Sequence, residues 1–161
     1  MWHYIYTFLI SIVPVFELRA GIPYGVVSLG IDSIAQPEAW MVFLASVAGN
    51  ILPVPFLILF GGKILRWLAT FPKFGKPFRK ILEIGEKKVS KIKSQTIFIA
   101  LLSFVAIPLP GTGAWTGALI AITLGLDLKK SILPIVLGVV GAGVIVLLAM
   151  TGAVSIFNVF L

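Results

Sequence analysis

Glu17 and Arg19 are the two side chains in this sequence placed to do chemistry away from water. They stand two residues apart in Pro14-Val-Phe-Glu-Leu-Arg-Ala-Gly-Ile-Pro-Tyr-Gly25, inside an apolar run from Trp2 to Gly30. At the centre of a bilayer each charge costs at least ~2.5–3.5 kcal/mol on insertion scales, so such residues are rare and mark substrate, ion or proton pathways. An arginine offers a planar fork that matches phosphate oxygens. A carboxylate beside it can hold that fork in place or exchange a proton. The plain alternative is a buried ion pair that only locks the turn. A second stretch, Ile107-Pro-Leu-Pro-Gly-Thr-Gly-Ala-Trp-Thr-Gly117, carries no charge but has the backbone for an anion. Gly111, Thr112 and Gly113 lead into a helix with Thr112 as candidate N-cap, and the N–H groups at such a start form an anion-binding nest. The limb after Pro23 is expected to begin a helix in the same way. Each helix start contributes about +0.5 charge, so together with Arg19 the centre favours an anion, a phosphate above all.

The expected substrate-binding set is therefore Arg19, Glu17, Gly111, Thr112, Gly113, Trp115, Thr116 and Asn50. Pro14, Gly21, Pro23, Gly25, Pro108, Pro110 and Gly117 are expected to shape the turns. Trp115 and Thr116 suit either role, and Asn50 suits a helix–helix hydrogen bond as well as a cavity wall.

Composition identifies the solvent. At 161 residues the chain is one domain by length. With 59% hydrophobic and 12% charged residues and a mean hydropathy of +1.10, it has more apolar surface than a soluble core of this size could hide. The absence of cysteine excludes disulfides and thiolate metal sites. His3 is the single histidine and has no second ligand near it, so no metal and no cofactor is expected. A membrane phosphatase would need a histidine or a second carboxylate beside the arginine, and Asp32, Glu38, Glu83, Glu86 and Asp127 all fall in surface regions; no enzyme is expected. No basic residue precedes the first apolar run, so no secretory leader is expected. The net charge of +7 could suggest nucleic acid, but the basic residues cluster between Lys63 and Lys93 and at Lys129-Lys130. Basic loops flanking apolar spans mark the cytoplasmic side.

The elements that must position the site follow from this pattern. Residues 2–30 form a first apolar unit, and Asp32 to Glu38 an outside loop without a basic residue. Residues 39–62 make a spanning helix, which needs about 20 residues. Residues 63–94 are polar; after Pro72, Gly75 and Pro77, the positions Phe78, Leu82, Gly85, Val89 and Ile92 recur at helical spacing with basic residues, Lys91 among them, between. That is a basic amphipathic helix on the inner membrane surface, where anionic headgroups add about 1 kcal/mol per basic residue; a solvated linker helix is the alternative. Residues 95–126 form a second broken unit, and residues 131–157 a second spanning helix with glycines for close packing.

Charge placement decides how the second unit runs. A single crossing of residues 95–126 would put Lys129-Lys130 opposite the Lys63–Lys93 cluster. Its two limbs also reach ~22 Å at most, short of a ~30 Å hydrocarbon core. A re-entrant hairpin satisfies both constraints. The halves also resemble each other: Gly21-Ile-Pro-Tyr-Gly25 parallels Gly113-Ala-Trp-Thr-Gly117, and Ser28-Leu-Gly-Ile-Asp32 parallels Thr123-Leu-Gly-Leu-Asp127 after a three-residue shift. The expected fold is an all-α integral membrane protein of two inverted repeats, residues 1–62 and 95–161. Each repeat is a re-entrant helical hairpin (2–30, 95–126) followed by a span (39–62, 131–157), with the basic helix of 63–94 between them and both tips meeting near the midplane.

Glu-Leu-Arg-Ala-Gly-Ile-Pro-Tyr-Gly at 17–25, followed by Ala-Ile-Pro-Leu-Pro-Gly-Thr-Gly-Ala-Trp-Thr-Gly-Ala at 106–118, resembles the bacterial and archaeal small multidrug export proteins over almost the whole chain. That family is similar in layout to the wider DedA superfamily, whose members have paired re-entrant hairpins; some are implicated in returning polyprenyl-phosphate carrier lipid across the membrane. DedA proteins typically carry an acid in the first hairpin and arginines in the second, whereas here both charges are in the first and residues 97–126 carry none. The resemblance implies a transporter of a lipid phosphate or small molecule, coupled to protons or another ion.

Three functions remain in view. The first is translocation of an anionic phosphate-bearing lipid or amphiphile, with Arg19 and both helix starts on the phosphate. The second is export of cationic small molecules against Glu17, and the third a membrane scaffold that docks partners on the basic helix. The expected partners are membrane lipids and a second copy of the chain, with no nucleic acid. The expected location is the cytoplasmic membrane, with residues 63–94 inside and both termini outside.

Overall fold

A computed structural model of the chain describes residues 1–72, 75–89 and 92–160, and among them the structure is all helix. α1 (Trp2–Ile12) and α2 (Glu17–Leu29) form the first unit. α3 (Pro37–Ala69) is the first long helix, α4 (Gly75–Val89) the basic helix. α5 (Ser94–Ala106) and α6 (Ala114–Thr123) form the second unit, and α7 (Leu128–Phe160) the second long helix.

α3 and α7 are the two helices long and apolar enough to cross a membrane, with mean hydropathies of 2.1 and 2.8 over Pro37–Ala69 and Leu128–Ile156. Both exceed the expected spans. α3 runs past Gly62 to Ala69 because no breaker stands before Pro72, and Lys63 and Arg66 can carry their charge outward on long stems. α7 starts at Leu128 because Asp127 caps it, its Oδ1 accepting the Lys130 N–H at 3.0 Å. In mid-course α3 is irregular. Pro53 and Pro55 follow a turn at Leu52, and Leu57–Gly61 forms a π turn. Each proline removes an i→i−4 bond, and π turns of this kind are frequent at functional sites. Trp40, Leu44, Leu133, Leu137, Ile145 and Leu148 point outward from α3 and α7, as side chains that face lipid do.

α2 packs on α1, α3 and α7 and forms the centre of the core with Leu18, Ile22 and Val26. Gly21, Pro23 and Gly25 do not break the chain as expected; all three lie inside α2. The break is Val13–Phe16, around Pro14. The glycines serve packing instead. A Cβ on Gly21 would overlap the Ser11 hydroxyl and come within 2.9 Å of Ser46 Oγ, and one on Gly25 would stand 2.6 Å from Val42. These contacts run α2 antiparallel to both α1 and α3. Pro23 leaves the Arg19 carbonyl without its i+4 donor. Gly117 likewise lies within α6, where a Cβ would meet Val105 of α5 at 2.6 Å.

In the first unit His3 lies beside Tyr24, and in the second Ser94 shares a pocket wall with Lys129 and Lys130. α3 leads from the loop after α2 to Lys63 and Arg66, which share a cavity with Asp127. Both α2 and α6 end on the same local motif. Gly30 and Gly125 adopt left-handed φ values of 64° and 67°, and the next N–H, of Ile31 or Leu126, returns to the carbonyl of Val26 or Ala121.

α4 forms, with Phe78 and Leu82 half-buried. It does not simply lie on a surface: Gly85 is buried against the backbone of Thr123 and Leu124, so close that a Cβ would overlap the Thr123 carbonyl. Lys91 and the side chains of Glu86 and Val89 lie outside the described residues.

Candidate functional site

The two breaks, Val13–Phe16 and 107–113, meet beside the middle of α3, where Ile12, Trp115, Leu52 and Pro53 line one groove. The first break is one tight turn, closed by the Glu17 N–H on the Val13 carbonyl at 3.0 Å. It forces Val15 to φ 79° and Glu17 to φ 50°. A β-branched residue there is strained by roughly 1–2 kcal/mol, and such strain clusters at functional sites. α2 therefore begins at Glu17, and not after Pro23 as the sequence reading had it.

The second break is folded by Thr112. Its hydroxyl accepts the Leu109 N–H at 3.2 Å and lies 2.8 Å from the Leu109 carbonyl. Thr112 is thus not the N-cap of α6; Gly113 holds that place with φ 125°. Gly111, at φ 86° with open space around it, only turns the chain, and Pro108 and Pro110 stiffen the same loop.

Glu17 closes the start of α6. Its side chain is 5% exposed, and Oε1 accepts the Trp115 N–H at 3.1 Å. Gly113 lets it in: a Cβ there would overlap the carboxylate, with Cδ at 2.8 Å. The nest assigned from sequence to a substrate anion is therefore occupied by the protein's own carboxylate. The physical reason is that orphan N–H groups at a buried helix start need an anion nearby, and Glu17 is the acid within reach.

Arg19 joins the two breaks. Its Nη2 donates to the Thr112 carbonyl and to Thr112 Oγ1, the latter at 2.9 Å, and lies 3.8 Å from Glu17 Oε2. Its side chain is 18% exposed, more open than Glu17. Among the described residues Nε and Nη1 of Arg19 have no protein acceptor. Chemically this is a cation held at one corner by the protein, with the rest of its fork available and its counter-ion shared with the start of α6.

Trp115 is a clamp. Besides its backbone bond to Glu17, its indole N–H donates to the Ile12 carbonyl at 3.1 Å, tying both sides of the first break to α6. Thr116 bonds back to the Gly113 carbonyl at 3.3 Å and does not reach the charged pair. Asn50 is buried in α3 one turn beyond Ser46, and its Oδ1 has no partner among the described residues. The structure thus brings together Glu17, Arg19, Thr112, Gly113 and Trp115, and leaves Asn50, Gly111 and Thr116 outside that cluster.

Sequence reasoning missed a buried polar set on α1 and α3. Ser11 and Ser46 share a hydrogen bond of 2.7 Å, and Thr7 Oγ1 is buried without a partner among the described residues. The signal was there, since small polar residues inside apolar helices serve to join them.

Residues 17–145 match the family described as "Putative small multi-drug export protein". No curated protein and no solved structure shows a significant match to the chain. The matched segment covers α2, the whole of α3, the second break and the first half of α7. The family's description and the two long apolar helices together point to a membrane protein with a transport role. The chain belongs to the small multi-drug export protein family.

Proposed function

We propose that the protein translocates an anionic, phosphate-bearing amphiphile across the cytoplasmic membrane, with Arg19 as the group that holds the anion. One observation carries this reading: of the two central charges, the cation is the accessible one. Glu17 Oε1 is bound to the start of α6, whereas Arg19 keeps the donors of Nε and Nη1 for a ligand. An apolar groove of about 470 Å3 beside Trp115, walled by Ile12, Pro53, Phe56 and Phe60, would take the tail of such a molecule. The layout supports the reading further. α1, α2, α5 and α6 have 10 to 13 residues, so each reaches only about 15–20 Å, too short for a ~30 Å core. Paired re-entrant hairpins, dipping from opposite faces as inverted repeats, would place both breaks near the midplane, the layout of the DedA superfamily. In this reading residues 63–94 face the cytoplasm, both termini lie outside, and the protein works as a homodimer without bond-making chemistry.

Transport of a fluorescent phospholipid analogue in reconstituted vesicles tests the role of Arg19. Arg19→Ala should abolish it, and Arg19→Lys, which cannot offer a planar fork, should lose at least about tenfold. Wild-type rates in folded Arg19→Ala protein would rule the assignment out. The family's description favours a second reading, export of cationic small molecules against Glu17. There Glu17→Gln would stop ethidium export while Arg19→Ala would leave it largely intact.

A further inference from the structure

A polar cavity lies away from Arg19, at the far end of α3. It measures about 200 Å3 and is walled by Ile58, Lys63 and Arg66 of α3, Leu82 of α4, Ile122 of α6 and the loop 125–128. Arg66 is held in place there. Its Nε donates to the Gly62 carbonyl at 3.2 Å, and its Nη2 lies over Gly62, 3.5 Å from where a Cβ would stand. The single acid on the wall, Asp127, is already countered by Lys130 at 3.7 Å. Among the described residues neither Lys63 nor Arg66 is paired with an acid. The surplus charge facing the cavity is therefore positive. Half its wall is hydrocarbon, and it opens where the basic segment of the chain begins.

We propose that this cavity binds the phosphate of an anionic phospholipid headgroup, with Lys63 and Arg66 as its ligands. Basic pockets between membrane helices on the cytoplasmic side are headgroup sites of this kind. The size fits a headgroup alone: pockets that enclose a whole drug-sized ligand run to about 300–1,000 Å3, so the acyl chains stay outside, over Ile58 and Leu59. A free phosphate shares the chemistry but would have no use for the apolar half of the wall. The lipid bridges α3, α4 and the loop before α7, and so fixes the basic helix to the body of the protein. None of this depends on the role of Arg19.

The test uses the full chain in neutral detergent, titrated with phosphatidylglycerol, with phosphatidylcholine of the same chains, and with inorganic phosphate. Native mass spectrometry and thermal unfolding are the readouts. Phosphatidylglycerol should be retained and should raise the unfolding temperature. The Lys63→Gln/Arg66→Gln variant should bind it at least tenfold more weakly, while Lys63→Arg/Arg66→Lys keeps most of the affinity. Lys76→Gln/Lys80→Gln removes the same charge from the exposed face of α4 and should stay within twofold of wild type. Equal losses in the two glutamine pairs would reduce the effect to diffuse charge attraction and overturn the proposal, as would equal affinity for phosphatidylcholine. Inorganic phosphate binding as tightly as phosphatidylglycerol would overturn the lipid assignment. If the double glutamine variant does not fold, Lys63→Gln and Arg66→Gln singly decide by the same measure. Arg19→Ala should leave this binding unchanged even if transport is lost.

Discussion

At Gly113 a hydrogen atom in place of a methyl group decides whether the site exists. The Glu17 carboxylate occupies the space a Cβ would take, and φ 125° is itself hard for an L side chain. Gly113→Ala should therefore cost at least about 2 kcal/mol from overpacking and strain together. Gly111→Ala, with open space around it, should cost only about 1 kcal/mol for its left-handed φ. Thermal unfolding in detergent compares the two; equal losses would mean that the carboxylate does not sit on Gly113. Neither residue's part could be assigned from sequence, because both read as glycine in a turn. What separates them is a partner 96 positions earlier, Glu17. Arg19 and Glu17 themselves were legible, since a charge in an apolar run is conspicuous. Which of them is the more exposed was not, because accessibility is a property of packing.

α2 shows how an element can defeat its own local signals. Proline and two glycines in nine residues argue for a broken chain, yet the segment is helical from Glu17 to Leu29. Burial of Leu18, Ile22 and Val26 and the close approach of α1 and α3 outweigh propensity, as tertiary context commonly does. The Ser11–Ser46 bond ties these helices together. Ser46→Ala should lower stability by about 0.6–1 kcal/mol, the scale of interhelical bonds in membranes; no change on thermal unfolding would mean that the bond contributes nothing. The break falls where the sequence gives a weaker warning, at Pro14 and Val15. Val15→Gly should raise stability by up to about 1 kcal/mol by relieving the positive φ, and a loss instead would show that the Val15 side chain is held by something outside this chain. α6 is the opposite case: its start, its clamp and its glycine cap at Gly125 all fall inside motifs visible in the sequence.

For the whole molecule, the ordering of helices makes a topological prediction. The chain has no cysteine, so single introduced cysteines report sidedness without background. In intact cells Asp32→Cys should react with a membrane-impermeant maleimide, whereas Lys63→Cys and Lys129→Cys should react only after permeabilisation. Lys63 and Lys129 on opposite sides would mean that residues 94–127 cross the membrane once, and the re-entrant reading would fall. The sequence by itself determined that this is a helical chain for lipid, where its basic residues gather, and that the Pro-Gly-Thr-Gly stretch interrupts it, because composition and periodicity follow from which side chains water rejects. Only the tertiary structure decided where the first interruption falls, that the carboxylate caps a helix from the other half of the chain, and that the guanidinium is left with donors to spare. The last two depend on distances between residues nearly a hundred positions apart, which local physics along the chain does not fix.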